Sequence, residues 1–346
     1  MSNVKRKFDL GWLSTYRNEL FGLAAISIMI HHFVSDFLES QLYHMADPAV
    51  RILARGYYQG IGSIGVEIFL LLSGMGLFYS FCKDEKLLPF YKKRFVRVLP
   101  AYCLVGGIYF AVRNLVITKG GIKGFLGEFT FYTFWRDGDT AMWFIAAILV
   151  FYLIYPLFYK SFQGKRHKIQ MLLIVLVAVL CGEILLHEAA PEFYDHTNFM
   201  LLRSVVFVIG CYLGQSIREQ RKLSMSVVWI CILLVFAGKI YVEYQDFEPL
   251  VWRNYNAIFS LCLTMFLCIV LHRFAHARML RKFLRICGTY SLELYMTHVA
   301  LRWIFKKAGL LTADVRIYLL VILIAVISSV MVHKVTGKIS EAVIKK

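Results

Sequence analysis

The sequence predicts an all-α, polytopic transmembrane bundle of about ten spans with both termini cytoplasmic, and three observations lead there. Hydrophobic residues make up 59% of the 346-residue chain and charged residues only 18%, with a mean hydropathy of +0.62. A soluble domain of this length is less apolar than that. Apolar runs of about 17 to 25 residues, each able to cross a bilayer core, recur from one end to the other. Lys and Arg gather in alternate connectors between those runs, as basic residues do on a cytoplasmic face.

The runs lie near 17–36, 61–82, 97–117, 142–160, 169–187, 199–216, 225–243, 254–272, 285–304 and 315–335. Connectors are short, with no low-complexity linker or internal repeat, so residues 1–346 are expected to form one helical domain. Lys5, Arg6 and Lys7 ahead of the first run imitate a signal peptide. No small-residue cleavage site follows them, and the run is read as the first span. Counted by alternate connectors, 26 basic residues fall on the side of the amino terminus against 12 on the other, with Arg203 inside the sixth run. Aromatics at 16%, many of them Tyr and Trp, suit the interfacial belts where spans end.

The net charge of +17 raises nucleic acid as a partner, but the basic residues sit between hydrophobic runs and not on one soluble face. Anionic membrane lipid is the better match. The eight cysteines form no CxxC pair and mostly lie in apolar runs, which points to reduced core residues. No metal is expected, because His31 and His32 turn away from each other on a helix and no HExxH is present. The absence of a phosphate-cradling glycine loop argues against ATP hydrolysis.

The first run carries the most informative chemistry. Arg17 and Glu19 stand at its start, His31 and His32 near its end. Ionisable groups at membrane depth cost a few kcal/mol, so they face protein or water and mark function. Arg17 and His32 lie roughly 22 Å apart along a helix axis and on roughly the same side of it, a spacing that suits a polar channel joining two compartments.

Gly65-Val66-Glu67-Ile68-Phe69-Leu70-Leu71-Leu72-Ser73-Gly74 resembles the Gly-Val-Asp-(Ile/Leu)-Phe…Leu-Ser-Gly signature of the acyltransferase 3 family of membrane proteins. In the same order come the first helix ending at His32, the basic stretch Phe90–Pro100, Trp143-Phe144 with Tyr152 and Pro156, and Ser291-Leu292-Glu293-Leu294-Tyr295-Met296-Thr297-His298. The resemblance spans nearly the whole chain. It implies transfer of an acyl group, usually acetyl, from a cytoplasmic acyl-CoA such as acetyl-CoA to a hydroxyl on an extracytoplasmic glycan or lipid-linked sugar. It also implies residence in the cytoplasmic (inner) membrane.

Within that resemblance His32 matches the histidine that would take the hydroxyl proton, a role suited to an imidazole titrating near neutrality. His31 is its neighbour, turned by about 100°. Arg94 and Arg97, three apart on one helical face, are expected with Lys93 to hold coenzyme A phosphates, which arginine forks grip in pairs of hydrogen bonds. The family's arginine eleven residues before the histidine is replaced here by Phe21, and Arg17 stands further back, where it can anchor the helix at the headgroups instead. Glu67 replaces the family's aspartate and needs a partner, Arg203 or His32. Glu67 and Arg203 are expected to tune or orient His32. Ser73-Gly74 reads as close helix packing, and Trp143 as a belt or packing residue, with stacking of a sugar ring on it left open. An acyl channel serving a partner acyltransferase, a homo-oligomer, and a transporter or ligand-sensing module all stay open at this stage.

Overall fold

The computed structural model describes residues 7–163, 168–245, 247–310 and 314–345. Of the basic residues used for orientation, Lys5, Arg6, Lys165, Arg166 and Lys346 lie outside them. The chain is a helical membrane bundle. Among the described residues nine helical stretches are long and apolar enough to cross a bilayer. The main helices are α1 (Arg17–Leu38), α2 (Ile64–Phe81), α3 (Leu87–Ala111), α4 (Trp143–Phe162), α5 (Lys168–Ala189), α6 (Ser204–Arg218), α7 (Met225–Tyr244), α8 (Pro249–Arg273), α9 (Ser291–Lys307) and α10 (Val315–Lys345), and α9 alone among them belongs to none of the nine stretches.

The ninth expected span, 285–304, is not one helix. The chain breaks at Tyr290 between an amphipathic helix, Arg278–Thr289, and α9. Arg278, Arg281, Lys282 and Arg285 make the first piece too charged for the core, while Met279, Phe283 and Ile286 are exposed along its other side. α9 has 17 residues, about 25 Å of rise, which leaves it just short of the nine longer stretches. Glu19 at the start of α1 meets Arg281 at 3.0 Å and Arg285 at 3.4 Å. Asp36 at the end of α1 meets Arg302 at 2.6 Å and Lys306 at 3.0 Å. The two ends of α1 are thus tied to the two ends of the α9 region.

The faces are fixed by a second tie. A short antiparallel pair, β1 (Lys7–Asp9) with β2 (Lys222–Ser224), joins the segment before α1 to the connector between α6 and α7, with Phe8 opposite Leu223. Both connectors lie on the side carrying more basic residues, here termed the basic face. The sixth run also differs from expectation. It is jointed at Arg203 between a helix Pro191–Leu201 and α6, and Arg203 donates to the Phe199 carbonyl at 2.7 Å.

α2 lies at the centre, with Leu70, Leu71, Leu72 and Met75 almost wholly buried. It approaches α6 through Gly74 and Gly210, where a Cβ would run into the facing backbone, the small-residue contact by which membrane helices close together. α5 turns Ile169, Leu173, Val177 and Leu185 outward, as a lipid-facing helix does. Gly22 and Gly288 bring α1 against the helix Arg278–Thr289, and a Cβ on Gly288 would strike the Asn18 carbonyl oxygen. Gly288→Ala is therefore expected to cost roughly 1–3 kcal/mol of stability through overpacking, readable as a lowered thermal unfolding midpoint in detergent. An unchanged midpoint would mean that these two helices can part without cost.

Candidate active site

A cavity of about 880 Å³ opens in the half of the bundle away from the basic face. That volume lies within the range of small-molecule sites. α1 contributes His31 and His32, α4 Trp143, the joint before α6 Arg203, α8 Trp252 and Arg253, and α9 Tyr295 and Arg302. Two segments of widened π-helical turns border it. Tyr58–Gly62 supplies Tyr58, and Val112–Ile117 supplies Arg113. Such widened turns re-aim side chains and recur at functional sites.

His32 is held from behind by α9. Its Nδ1 lies 3.2 Å from Nε2 of His298, and the rings stack at 4.9 Å. His298 is fully buried. With one His32 nitrogen engaged by His298, the other is the one available to the cavity. His31 stacks on Tyr58 at 4.9 Å and also lines the cavity, but does not share the His298 contact.

Glu67 finds Arg203, at 3.1 Å, with both side chains almost wholly buried. Between the two expected partners, Arg203 and His32, the structure selects Arg203. The guanidinium also lies 4.9 Å over the Trp143 ring. Trp143 is therefore a wall of the cavity. On the other side of the cavity Arg113 pairs with Asp139 at 2.8 Å and Glu128 at 3.3 Å, while the Asn114 amide donates to Glu128 at 2.7 Å. Burial pushes the Glu128 carboxyl up, against the pull of Asn114 and Arg113.

The basic cluster of α3 divides in a way the three-residue spacing hides. Arg97 reaches Glu293 on α9 at 3.2 Å, and the same carboxylate accepts from His333 on α10 at 2.9 Å. Arg94 packs 5.9 Å from the Phe90 ring. Arg17 lies 4.9 Å over Phe21 and packs against Gly76. Arg17 and Arg94 have no acidic partner among the described residues. Arg17, like Arg94, is half-buried. Lys93 is exposed.

Between Arg17 and His32 the inward side of α1 meets aromatic rings and not the polar groups expected there. Phe21 meets Phe69 at 5.2 Å, Phe69 meets Phe144 at 5.9 Å, and Phe144 meets Tyr295 at 5.4 Å. This aromatic series runs from Arg17 to the wall of the cavity because the residues between Arg17 and His32 on the inward side of α1 are Phe21, Ala24 and Ile28, none of them polar. His272 and His276, four apart, do not form a helical ligand pair, since α8 ends at Arg273 and His272 is bonded to the Tyr16 hydroxyl at 3.1 Å.

Sequence reasoning places His298 with Arg203 and Glu293 in a polar network facing the cavity of the first helix, without a catalytic role, and counts Arg113 and Arg253 only as connector charges. The signal for His298 was present in the motif ending Tyr295-Met296-Thr297-His298. None pointed to the pairing of Arg113 with Asp139 and Glu128.

Two comparisons with known proteins bear on this site. The model of an acyltransferase domain family, acyltransferase 3, matches residues 22–334. Acyltransferase MdmB of Streptomyces mycarofaciens is 26% identical over 112 residues, and the alignment covers 29% of this chain and 29% of that relative. No solved structure matches.

Proposed function

We propose, on the premise that the chain belongs to the acyltransferase 3 family of membrane proteins, that it moves an acetyl or other short acyl group from acyl-CoA to the hydroxyl of a glycan or lipid-linked sugar. The acceptor occupies the cavity, and the acyl-CoA enters from the basic face, which the charge rule makes cytoplasmic. The protein is then a multi-pass enzyme of the cytoplasmic membrane. The observation that carries this reading is an imidazole, His32, standing in a polar cavity with a second imidazole behind it.

The chemistry follows from the tautomers. If His32 Nδ1–H donates to His298 Nε2, the lone pair of His32 Nε2 is free for the acceptor hydroxyl. That nitrogen takes the proton as the alcohol oxygen attacks the thioester carbonyl. The tetrahedral adduct collapses, its C–S bond breaks, and the imidazolium returns the proton to the departing thiolate. His298 keeps the ring oriented and shares the positive charge. Arg203, held by Glu67 and Trp143, faces the same cavity and supplies positive potential toward the oxygen that becomes negative. The pair thus assists the carbonyl, and does not orient His32 by direct contact.

Arg17 and Arg94 are the cations best suited to coenzyme phosphate, since their charges are uncompensated while Arg97 is already matched by Glu293. Lys93 adds a mobile charge at the rim, and Arg97 sets the position of α3 against α9. Arg17→Gln and Arg94→Gln are each expected to raise KM for acetyl-CoA on the order of tenfold or more, with little change in kcat. Initial rates against acetyl-CoA concentration check this, and an Arg97→Gln effect larger than both would reverse the assignment.

The reading is tested with full-length protein in detergent and radiolabelled acetyl-CoA, following hydrolysis and transfer to sugars. Mass spectrometry of envelope glycans from cells with and without the gene then identifies the acceptor. Failure to turn over any acyl-CoA, together with solute movement in vesicles lacking thioester, would replace the enzyme by a transporter.

A further inference from the structure

We propose that the acceptor is acidic, and that its carboxylate or phosphate is gripped by Arg253 at the outer end of the cavity. The inference rests on the acyl-transfer reading for the word acceptor, but the anion subsite stands on geometry of its own. Among the described residues, each other arginine lining the cavity has a carboxylate, as does Lys239 behind it. Arg113 has Asp139 and Glu128, Arg203 has Glu67, Arg302 has Asp36, and Lys239 has Glu243. Arg253 forms no ion pair with any described acid, and its buried Nε makes no hydrogen bond.

The way Arg253 is held favours a ligand over solvent. Its guanidinium lies 4.9 Å over Phe199 and 5.6 Å from the Trp252 ring. Trp252 is itself fixed, its indole N–H donating to Glu243 at 2.7 Å. That carboxylate also accepts from Lys239, which donates at 2.7 Å to Asn256. Stacking on rings engages the flat face of a guanidinium and leaves its N–H edge for a planar or tetrahedral oxyanion in a two-bond fork. A snorkelling arginine would turn its head to the lipid headgroups. Arg253 instead lines the cavity beside Arg203 and Trp143. The acids of this network are already occupied, Glu243 by Lys239 and Trp252 and Glu67 by Arg203. The cavity therefore offers aromatic walls for a sugar ring and one uncompensated cation for a negative substituent on it.

The test measures binding and turnover separately on the full chain in detergent. Methyl glucuronide carries the carboxylate, glucose 1-phosphate the phosphate, and methyl glucoside neither. Calorimetric titration is expected to show at least one of the charged sugars binding on the order of tenfold to a hundredfold more tightly than methyl glucoside, and which one does so separates an acidic residue of a glycan from a phosphate-linked sugar. In Arg253→Gln that ratio should fall to about one. In Arg253→Lys, which keeps the charge and loses the fork, it should lie between. If Arg253→Gln does not fold, as read from its thermal unfolding, the lysine variant carries the comparison. Equal binding of neutral and charged sugars by the unaltered protein, binding of none of the three, or a preference that survives unchanged in both variants would overturn the proposal. An acetyl-CoA turnover assay keeps the two readings apart. Acylation of neutral sugars without preference sinks the acidic acceptor alone, whereas Arg253-dependent anion binding without any turnover sinks the transferase reading alone.

Discussion

His32→Ala is expected to lower the transfer rate by about 10²–10⁴, the usual contribution of a positioned acid–base group, while leaving KM for acetyl-CoA nearly unchanged. The two effects separate because His32 and Arg17 stand roughly 22 Å apart along α1, with the aromatic series from Phe21 to Tyr295 between them. His32→Gln is the sharper variant. Its amide can keep a hydrogen bond to His298 and fill much of the same space, yet it cannot take up a proton. A glutamine variant as slow as the alanine variant assigns the loss to proton transfer and not to packing. His298→Ala should cost less, on the order of 10², through misplacement of the His32 ring. His31→Ala should cost less again, because His31 leans on Tyr58 and not on His298. Single-turnover measurements on the variants would check the order. A His32→Gln protein within tenfold of the unaltered enzyme would remove the proposed base.

Glu67→Leu is expected to destabilise the fold by about 3–5 kcal/mol, since it strands the almost wholly buried Arg203 charge without its partner. The variant should also lose transfer, because Arg203 is then free to leave the Trp143 ring. The double variant Glu67→Leu, Arg203→Met distinguishes architecture from chemistry. Replacing both members of a buried pair by apolar groups of similar volume is often neutral for stability, so thermal unfolding should recover. Activity should not recover, because the positive potential beside the thioester carbonyl is gone. Recovery of both would make the pair a packing device.

Much of this was legible from composition and order. The apolar runs and the alternation of basic connectors follow from the cost of leaving backbone polar groups and charges in hydrocarbon, which acts on each run separately. For that reason helix number and relative sidedness could be read locally, and β1 against β2, Glu19 against Arg281 and Asp36 against Arg302 agree with the alternation. The motifs containing His32, Glu67, Arg94 and His298 were equally visible. The break at Tyr290 and the joint at Arg203 were not, because a hydropathy run averages over the charged turn or the bent residue that divides it.

By itself the sequence determined a membrane-spanning all-α chain, its order of crossings and the identity of its ionisable residues at depth. Only the tertiary structure decided which of those residues meet. His32 and His298 are 266 positions apart, Arg97 and Glu293 are 196 apart, and Arg253 depends for its isolation on which acids have already been taken by other cations. Pairing of this kind is set by how helices close on small residues such as Gly22, Gly74, Gly210 and Gly288. That closure is a property of facing surfaces, and no local period in one helix records the surface of another.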